Sequence, residues 1–426
     1  MIKCKVFLRY EYTYDIICVA YLKWLEVVET MVMYWRNYMI LIKNGYIKTM
    51  SKEGDIENGQ ILVENGKIKA IGKTVEAPKD VEVIDANGCI VSPGFIDGHC
   101  HIGMWEEGIG FEGDDGNEAV EPVTPHLRAI DSINPMCVAF EEAIEGGVTT
   151  AVTGPGSANV IGGTFLAMKT YGKRVDKMII KDPIAMKIAF GENPKRVYDD
   201  QHKSPTTRMA TAAILRETLF EAKQYLENVE LSKEDPDKKP DYDMRMEALL
   251  PVLRREIPLK AHAHRADDIF TALRIAKEFN VDITLEHCTE GHLIADELAE
   301  EGKPAFVGPT LSGKSKYELR NLTFATPKVL CEKGLKIGII TDSPVIPLQY
   351  LSMCAGLAVK SGLDEQEAWK AITINPAEIV GIADRVGSLE IGKDADIVVF
   401  KGNPLLDVNY KTMYTIINGQ IAYSSK

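Results

Sequence analysis

Residues Ile90-Val-Ser-Pro-Gly-Phe-Ile-Asp-Gly-His-Cys-His101 form the most informative stretch of this sequence. It is an apolar, β-branched run that ends in two histidines, His99 and His101, with one residue between them. Side chains at i and i+2 of an extended segment point to the same face, so both imidazoles can reach one cation. Neutral imidazole is a favoured ligand of zinc and related divalent metals. The stretch therefore predicts a strand with two candidate metal ligands at its carboxyl end, and a lone pair of this kind is a weak signal by itself.

Downstream of this stretch, short apolar runs alternate with helical segments as far as residue 382. We expect strands at residues 90–96, 149–153, 165–169, 184–190, 259–262, 282–286, 305–307 and 337–341. Amphipathic helices are predicted over 207–227 and 266–279, and the charged stretch 230–243 is interpreted as a solvated loop. Strands that alternate with helices are typical of parallel βα units. Eight of them predict an α/β fold, a (β/α)8 TIM barrel over residues 91–382.

Two regions that flank the predicted barrel in the sequence have a different pattern, which is typical of β-strands. Residues 39–90 contain short apolar runs broken by Asn-Gly pairs at 44–45, 65–66 and 87–88, which are strong hairpin signals. Similar runs return at 387–400 and 412–423. We therefore expect a small β-sandwich domain built from both chain ends, residues 39–90 and residues 383–426.

The first 38 residues do not share this pattern. They are crowded with Tyr, Trp and Met, and their longest uncharged run, residues 16–22, has seven residues against the ~20 that span a bilayer. We interpret residues 1–38 as an N-terminal extension, with an amphipathic helix lying on a surface or partner as the alternative. We expect a chain without them to fold and remain active.

Composition excludes several classes of partner. The chain has 49 Lys+Arg against 62 Asp+Glu, a net charge of −13, and such a surface repels the phosphates of nucleic acids and anionic membranes. Eight cysteines in 426 residues, without a CxxC pair, indicate buried thiols in a reducing compartment. We expect a cytoplasmic protein that binds a small-molecule substrate, with no nucleic acid or membrane partner. A homo-oligomer is compatible with these features.

The histidines carry the chemistry. Five of the eight lie at three predicted strand ends, namely His99 and His101, His262 and His264, and His287. An acid, Asp342, follows the last predicted strand. Active sites of barrel enzymes lie at the carboxyl ends of the strands, so these groups should meet at one mouth. The pattern predicts a metal site.

These motifs together resemble the amidohydrolase superfamily, and within it the imidazolonepropionase-related, prolidase-like group. The resemblance is carried by Ser92–His101, the His262/His264 pair, Glu286-His287, Thr341-Asp342, Ile374-Asn-Pro-Ala377 and Gly387-Ser-Leu-Glu-Ile-Gly-Lys-Asp-Ala-Asp396, and it covers the chain from about residue 39. It implies a metal-bearing TIM barrel with a sandwich formed by both ends. It also implies one or two divalent ions, with zinc expected, held by or beside His99, His101, His262, His287 and Asp342.

One ligand is left open by the resemblance. Many two-metal relatives bridge the ions with a carboxylated lysine from the fourth strand, while others use a glutamate or a single metal. Lys187 and Glu192 both fall near the end of that strand, and only one can face inward on a regular strand because their spacing is odd. Glu192 lies at the strand-to-loop junction, where ligands belong. We therefore expect Glu192 to be the metal ligand, with a carboxylated Lys187 as the alternative. If Lys187 is not a ligand, we expect it to be a cation on the barrel exterior or rim.

Substrate contacts are expected from the loops that follow the strands. His264 is expected to touch substrate rather than metal, and Glu118 and Asn159 are further candidates. The same loops carry four cations that favour a substrate with a carboxylate, unless they merely pair with acids on the rim: Arg196, Arg208, Lys314 and Lys316.

The predicted function is a metal-dependent amidohydrolase that hydrolyses a C–N bond of an amide or cyclic amide with a metal-activated water. Asp342 accepts the proton of that water and returns it to the leaving nitrogen. The alternatives are a deaminase or dipeptidase of the same superfamily and a non-catalytic scaffold. Related deaminases carry an acid three residues after the fifth-strand histidine, where this chain has Arg265. A scaffold is disfavoured because all five matched positions keep ligand-type residues.

Overall fold

The computed structural model describes residues 39–106 and 110–425. The N-terminal extension expected at residues 1–38 lies outside the described residues, so the effect of deleting it stays a prediction.

Within the described part, the amino-terminal strands are β1 (Met39–Ile47), β2 (Ile56–Glu64), β3 (Lys67–Gly72), β4 (Glu82–Asp85) and β5 (Ile90–Pro93). The central strands are β6 (Phe95–Cys100), β7 (Val148–Thr153), β8 (Ile161–Lys169), β9 (Ile179–Ala189), β10 (Leu259–Ala263), β11 (Ile283–His287), β12 (Ala305–Val307) and β13 (Ile337–Ile339). The carboxyl-terminal strands are β14 (Ile397–Lys401), β15 (Lys411–Ile417) and β16 (Gln420–Ser424).

The α-helices of the described residues cover the barrel or connect its strands. They are α1 (Val138–Glu145), α2 (Glu192–Asp199), α3 (Arg208–Leu231), α4 (Met244–Leu253), α5 (Ala266–Phe279), α6 (Ala295–Glu301), α7 (Thr326–Glu332), α8 (Leu351–Lys360), α9 (Glu365–Ala371) and α10 (Ile374–Ile379). The predicted helices at 207–227 and 266–279 are confirmed as α3 and α5. The predicted loop at 230–243 begins slightly later, because α3 continues to Leu231.

Helix α5 shows how the sequence directs these elements. Its buried residues Ile269, Ala272, Leu273 and Ala276 recur at the helical spacing i, i+3, i+4 and i+7, so one apolar stripe faces the barrel. The helix ends at Asn280, which adopts the left-handed conformation that helix termini favour.

Both ends of the described chain contribute to one mixed sheet of eight strands, in the order β16-β15-β14-β5-β1-β2-β3, with β4 paired to β1. The antiparallel pair β5–β14 joins the two ends, with Ser92 opposite Val398. Buried side chains such as Ile40, Val63 and Ile397 form the core of this sheet. The two ends thus meet as expected, and the layering of this sheet as a sandwich stays a prediction.

A second sheet forms the barrel. Among the described residues it has eight strands in the order β13-β12-β11-β10-β9-β8-β7-β6, and β13 lies against β6, so the sheet is nearly closed. At this seam the backbone amide and hydroxyl of Thr341 donate to the Asp97 carboxylate, at 2.9 and 2.6 Å. The barrel prediction is confirmed in outline.

The expectation of eight parallel strands is wrong in one place. Strand β8 pairs antiparallel with both neighbours, β7 and β9, while the remaining pairs in the barrel sheet are parallel. The physical reason is the connection at residues 154–160, which contains no helix. Parallel strands need a crossover of about a dozen residues or more, whereas a short connection reverses the chain.

The predicted strand at 90–96 is also corrected, because it divides between the two sheets. Residues up to Pro93 belong to β5, and β6 begins at Phe95 in the barrel. Gly94 makes the transfer, and a Cβ atom there would lie only 2.0 Å from Oγ1 of Thr149. The close approach of the two sheets therefore requires glycine at this position.

A buried group of charges connects the barrel to the terminal sheet. Nζ of Lys169, on β8, lies 2.5 Å from Oδ2 of Asp396 and 2.9 Å from Oδ2 of Asp394. Asp394 also pairs with Lys67 and Arg385. The charged residues of the Gly387–Asp396 motif thus have a structural role, since a buried charge is tolerated only when it is paired.

No helix in residues 39–106 and 110–425 is both long enough and apolar enough to cross a bilayer.

Candidate active site

Three strand ends and one following loop bring the predicted ligands to the carboxyl mouth of the barrel. His99 lies on β6, His262 on β10 and His287 at the end of β11, whereas Asp342 follows β13 by three residues. The backbone of His287 (φ 68°) and of Asp342 (φ 55°) is left-handed. This conformation is uncommon for residues other than glycine, and it turns both side chains away from the strand alternation.

Two groups of potential metal ligands result. His99, His287 and Asp342 form one group, and His262, His264 and His287 form the other; within each group one ligand atom per residue lies within 4.8 Å of the others. Because the groups share His287, they are adjacent. His101 joins the first, since its Nε2 lies 3.1 Å from Oδ1 of Asp342.

Hydrogen bonds donated by Nδ1 orient the rings of His101 and His287. Nδ1 of His101 lies 2.7 Å from the carbonyl oxygen of Gly154, and Nδ1 of His287 lies 2.8 Å from that of Gly308. A carbonyl only accepts, so Nδ1 carries the proton in both rings and the lone pair of Nε2 faces the site. This is the arrangement in which imidazole binds a metal.

Three buried polar atoms of the predicted metal ligands have no hydrogen-bond partner among the described residues: Nδ1 of His262, Nε2 of His287 and Oδ1 of Asp342. Buried polar atoms without a partner are rare and need an explanation. Two imidazole nitrogens and a carboxylate oxygen form a donor set that suits a divalent cation. The residues therefore fit the metal that the sequence predicts.

Electrostatics keep these groups in the protonation states that a metal requires. Burial lowers the pKa of His287 to about 4, and it lowers the pKa values of His99, His262 and His264 well below the ordinary histidine range. These rings are therefore neutral at pH 7. Burial alone would raise the pKa of Asp342, but the neighbouring His287 and His101 lower it to about 2. Its carboxylate is ionised.

Lys187 occupies a place that we did not expect. Its side chain is fully buried inside the barrel, and its Nζ lies 3.2 Å from Nε2 of His99, so the expectation of an exterior or rim cation is wrong. Strand β9 ends at Ala189, and Glu192 lies beyond it in the first turn of α2, where strand alternation no longer governs its direction. The carboxylate of Glu192 accepts from the backbone amide of Glu318 at 3.3 Å, and Glu192 belongs to neither ligand group of the described residues.

Above the ligands lies an open cavity of about 480 Å³. His101, His262, His264 and Asp342 form part of its lining. Its remaining lining includes apolar groups, among them Trp105, Leu319 and Val345, and polar or charged groups, among them Asn117, Ser157, Asn193, Arg196 and Lys316. The cavity can hold a small molecule against the candidate ligands.

Residues 90–422 match the profile of the amidohydrolase family (Amidohydro_1). The chain belongs to the amidohydrolase family. The crystal structure of an amidohydrolase from Thermotoga maritima MSB8 is similar to this amidohydrolase with a TM-score of 0.87 and 42% sequence identity, and the match covers 91% of this chain and 100% of that one.

Two curated proteins extend the comparison. Amidohydrolase tasK of Hapsidospora irregularis is 30% identical over 356 residues, which are 78% of this chain but 36% of that protein. An imidazolonepropionase of Thermoplasma acidophilum is 25% identical over 392 residues, which are 86% of this chain and 90% of that protein. This amidohydrolase thus spans about a third of the length of the first relative, and the resemblance inferred from the motifs is confirmed.

The expected substrate contacts of the amidohydrolase separate into two kinds. His264 lines the cavity and is also a member of one ligand group. Glu118 is exposed and outside the cavity lining. Asn159 is buried and engaged on both sides, because it donates to Oγ1 of Thr124 at 2.8 Å and accepts from the Tyr198 hydroxyl at 2.6 Å.

The four loop cations differ in whether they line the cavity. Arg196 and Lys316 line the cavity, whereas Arg208 pairs with Asp268 at 3.0 Å and Lys314 donates to a backbone carbonyl. Nζ of Lys316 lies 2.6 Å from Oε1 of Glu318, so Lys316 pairs with an acid, which was the alternative expected for these cations.

Two charged residues received no role from the sequence. Glu318 is buried, and its Oε1 lies 3.7 Å from Nε2 of His264. It lies in a short 3-10 helix, Tyr317–Leu319, which is too short for periodicity to reveal the direction of a side chain. Lys260 is buried on β10, two residues before His262. Strand alternation places Lys260 on the same face as His262. A lysine at this spacing from a ligand histidine is therefore a signal from which the sequence could have predicted its position.

Proposed function

We propose that this protein is a metal-dependent amidohydrolase that hydrolyses a C–N bond of an amide or cyclic amide with a water molecule activated at the barrel mouth. One observation carries the proposal. Buried atoms without a partner on His262, His287 and Asp342 belong to two adjacent groups of potential ligands, and His262 and Asp342 also line a cavity large enough for a small substrate.

His99, His101 and Asp342, together with His262, His264 and His287, are the residues that would hold one or two divalent ions, with zinc expected from the predominance of imidazole. Such an ion supplies Lewis acidity, which polarises the scissile carbonyl and lowers the pKa of water. In this proposal His264 is a ligand as well as a neighbour of the substrate.

Lys187, rather than Glu192, completes this ligand set. Burial lowers the pKa of Lys187 to about 8, so an appreciable fraction of its amine is uncharged near neutral pH. An uncharged amine can add CO₂, forming an N–C bond and releasing a proton, and the resulting carbamate is a carboxylate-type ligand. The position of Nζ beside Nε2 of His99 supports this role.

Asp342 performs the proton transfer. Its carboxylate is ionised before the reaction, lines the cavity and has one oxygen without a partner. It can accept a proton from the attacking water and then donate it to the leaving nitrogen, so that the amine departs neutral. In this proposal Asp342 is therefore both a metal ligand and the residue that transfers the proton.

The substrate class is an amide that carries a carboxylate. Arg196 and Lys316 line the cavity, and Arg196 makes no ion pair with any described residue. Asn193 lies one helical turn before Arg196 on α2 and accepts from Lys316 at 3.1 Å, which groups the three polar side chains at one wall. A substrate carboxylate can form charge-assisted hydrogen bonds there.

The deaminase alternative gains no support from its diagnostic position. Both nitrogen contacts of Arg265 go to Asp267, at 2.9 and 2.8 Å, and Arg265 is not part of the cavity lining. No acid from this position reaches the site.

The decisive experiment is a metal analysis of the purified protein followed by an activity screen. N-acyl amino acids, dipeptides, cyclic ureides and imides are incubated with metal-loaded and chelator-treated protein, and with the Asp342→Asn variant. We expect stoichiometric metal and hydrolysis that is lost after chelation and in the variant. Protein without bound metal, or metal-loaded protein that hydrolyses none of these substrates, would overturn the proposal.

A further inference from the structure

The barrel interior directly beneath the ligands is charged. Barrel interiors are ordinarily filled with layers of bulky apolar side chains. Here Lys260 and Glu286 are both buried, on the neighbouring strands β10 and β11, and no part of the proposed chemistry uses either. Burying a lysine and a glutamate is costly even when they are paired, so this layer needs an explanation.

Glu286 contacts a candidate metal ligand. Its Oε2 lies 2.8 Å from Nδ1 of His99, and its Oε1 accepts from the hydroxyl of Thr284 at 2.5 Å. A carboxylate in contact with Nδ1 keeps the proton on that nitrogen and leaves the lone pair on Nε2, the atom that faces Lys187 and Asp342.

Lys260 holds this carboxylate from below. Its Nζ lies 2.8 Å from the same Oε2 of Glu286, donates to the carbonyl of Gly98 at 2.9 Å and sits 4.2 Å from the ring centre of Phe306. Gly98 precedes His99, so Lys260 fixes both the acceptor of the histidine ring and the backbone that carries it. The ammonium, the carboxylate and the imidazole form one continuous chain of contacts.

We propose that Lys260 and Glu286 act as a pair of positioning residues that orients His99 and strengthens its binding to the metal. The inference rests on the proposed metal site and deepens it. Neither residue is part of the cavity lining, and the candidate ligand that the Glu286 side chain contacts is His99. Carboxylate partners of metal-bound histidines typically change metal affinity by about 10- to 100-fold.

The test measures the dissociation constant for Zn²⁺ by competition with a chromophoric chelator, together with the absorption spectrum of the Co²⁺-loaded protein. We expect Glu286→Gln to weaken Zn²⁺ binding about 10- to 100-fold and to alter the Co²⁺ spectrum. The matched control is Asp396→Asn, which breaks another buried lysine–carboxylate pair outside the site. It should lower thermal stability and leave Zn²⁺ affinity unchanged.

A double variant separates positioning from simple stability. Lys260→Met leaves an unpaired buried carboxylate and should destabilise the fold, whereas Lys260→Met/Glu286→Leu removes both charges and should recover stability. We expect the double variant to bind Zn²⁺ at least as weakly as Glu286→Gln, because glutamine removes the charge that faces Nδ1 of His99 and leucine removes the acceptor as well.

Recovery of wild-type Zn²⁺ affinity in the double variant, or wild-type affinity in Glu286→Gln, would overturn the positioning role and leave the proposed function intact. Failure of the wild-type protein to bind any divalent ion would overturn both.

Discussion

Nζ of Lys187 lies 3.2 Å from Nε2 of His99, inside the barrel and shielded from solvent. Because Nδ1 of the same ring faces the Glu286 carboxylate, Nε2 is the acceptor and the lysine amine is the donor. A lysine on β9 is thereby brought to the atom with which His99 would bind a metal. In the proposed site Lys187 therefore takes the place that we expected for Glu192 from its position at the strand-to-loop junction.

Lys187→Ala should therefore lose most of its bound metal, while Glu192→Ala should keep it, because only Lys187 reaches the ligand atoms. Metal content per chain after dialysis measures the difference, and thermal denaturation checks that both variants are folded. Full metal in Lys187→Ala together with loss in Glu192→Ala would restore the original assignment. Growth in isotope-labelled bicarbonate and NMR of the wild type would detect a carbamate on Lys187.

Asp342→Asn should fold normally and lose about 10²- to 10⁴-fold in kcat, the range for removal of a general acid–base group. Asparagine tolerates the left-handed backbone at this position, so the change removes charge and basicity without strain. Steady-state kinetics of the metal-loaded variant give the answer. An Asp342→Asn protein that keeps its metal and near wild-type kcat would refute the role.

Acid should destabilise the metal-free protein through its buried histidines. The pKa of His287 is about 4 in the folded chain against an ordinary value of 6.5, so its contribution to folding is complete above pH 6.5 and disappears as the pH falls towards 4. This loss amounts to up to about 3 kcal/mol for one such group. Thermal denaturation of chelator-treated protein between pH 7 and 4 measures it.

The matched variants are His287→Asn and His202→Asn, since both residues have a left-handed backbone that asparagine accepts and His202 is exposed. His287→Asn should flatten the acid-induced fall in Tm, and His202→Asn should reproduce the wild-type curve. Identical curves for wild type and His287→Asn would contradict the burial argument.

Arg196→Gln should raise KM about 10- to 100-fold for substrates that carry a carboxylate and leave neutral amides unaffected, because one charge-assisted hydrogen bond is lost. Lys314→Gln is the control: it removes a loop cation that lies outside the cavity lining. Comparing an N-acyl amino acid with its uncharged amide in both variants isolates the effect. Equal KM changes for the two substrates would reject a carboxylate subsite at Arg196.

Most of the barrel strands and the place of the candidate ligands could be predicted from the sequence alone. Short apolar runs that alternate with helical segments specified most of the barrel strands, and the histidines at their ends identified the mouth where the candidate ligands meet. Strand ends are local features, and in a barrel they converge by geometry alone. The pairing of the two chain ends followed in the same way from repeated hairpin signals.

Strand direction, the division of one strand between two sheets and the contacts between distant side chains required the three-dimensional structure. The direction of β8 depended on the length of a loop without a helix, and the division of residues 90–96 depended on the approach of Thr149 to Gly94. Contacts between different strands placed Lys187 beside His99 and joined Glu286 to Lys260 and His99. Periodicity along one strand gives the face of a side chain, but the partner on that face comes from residues distant in sequence.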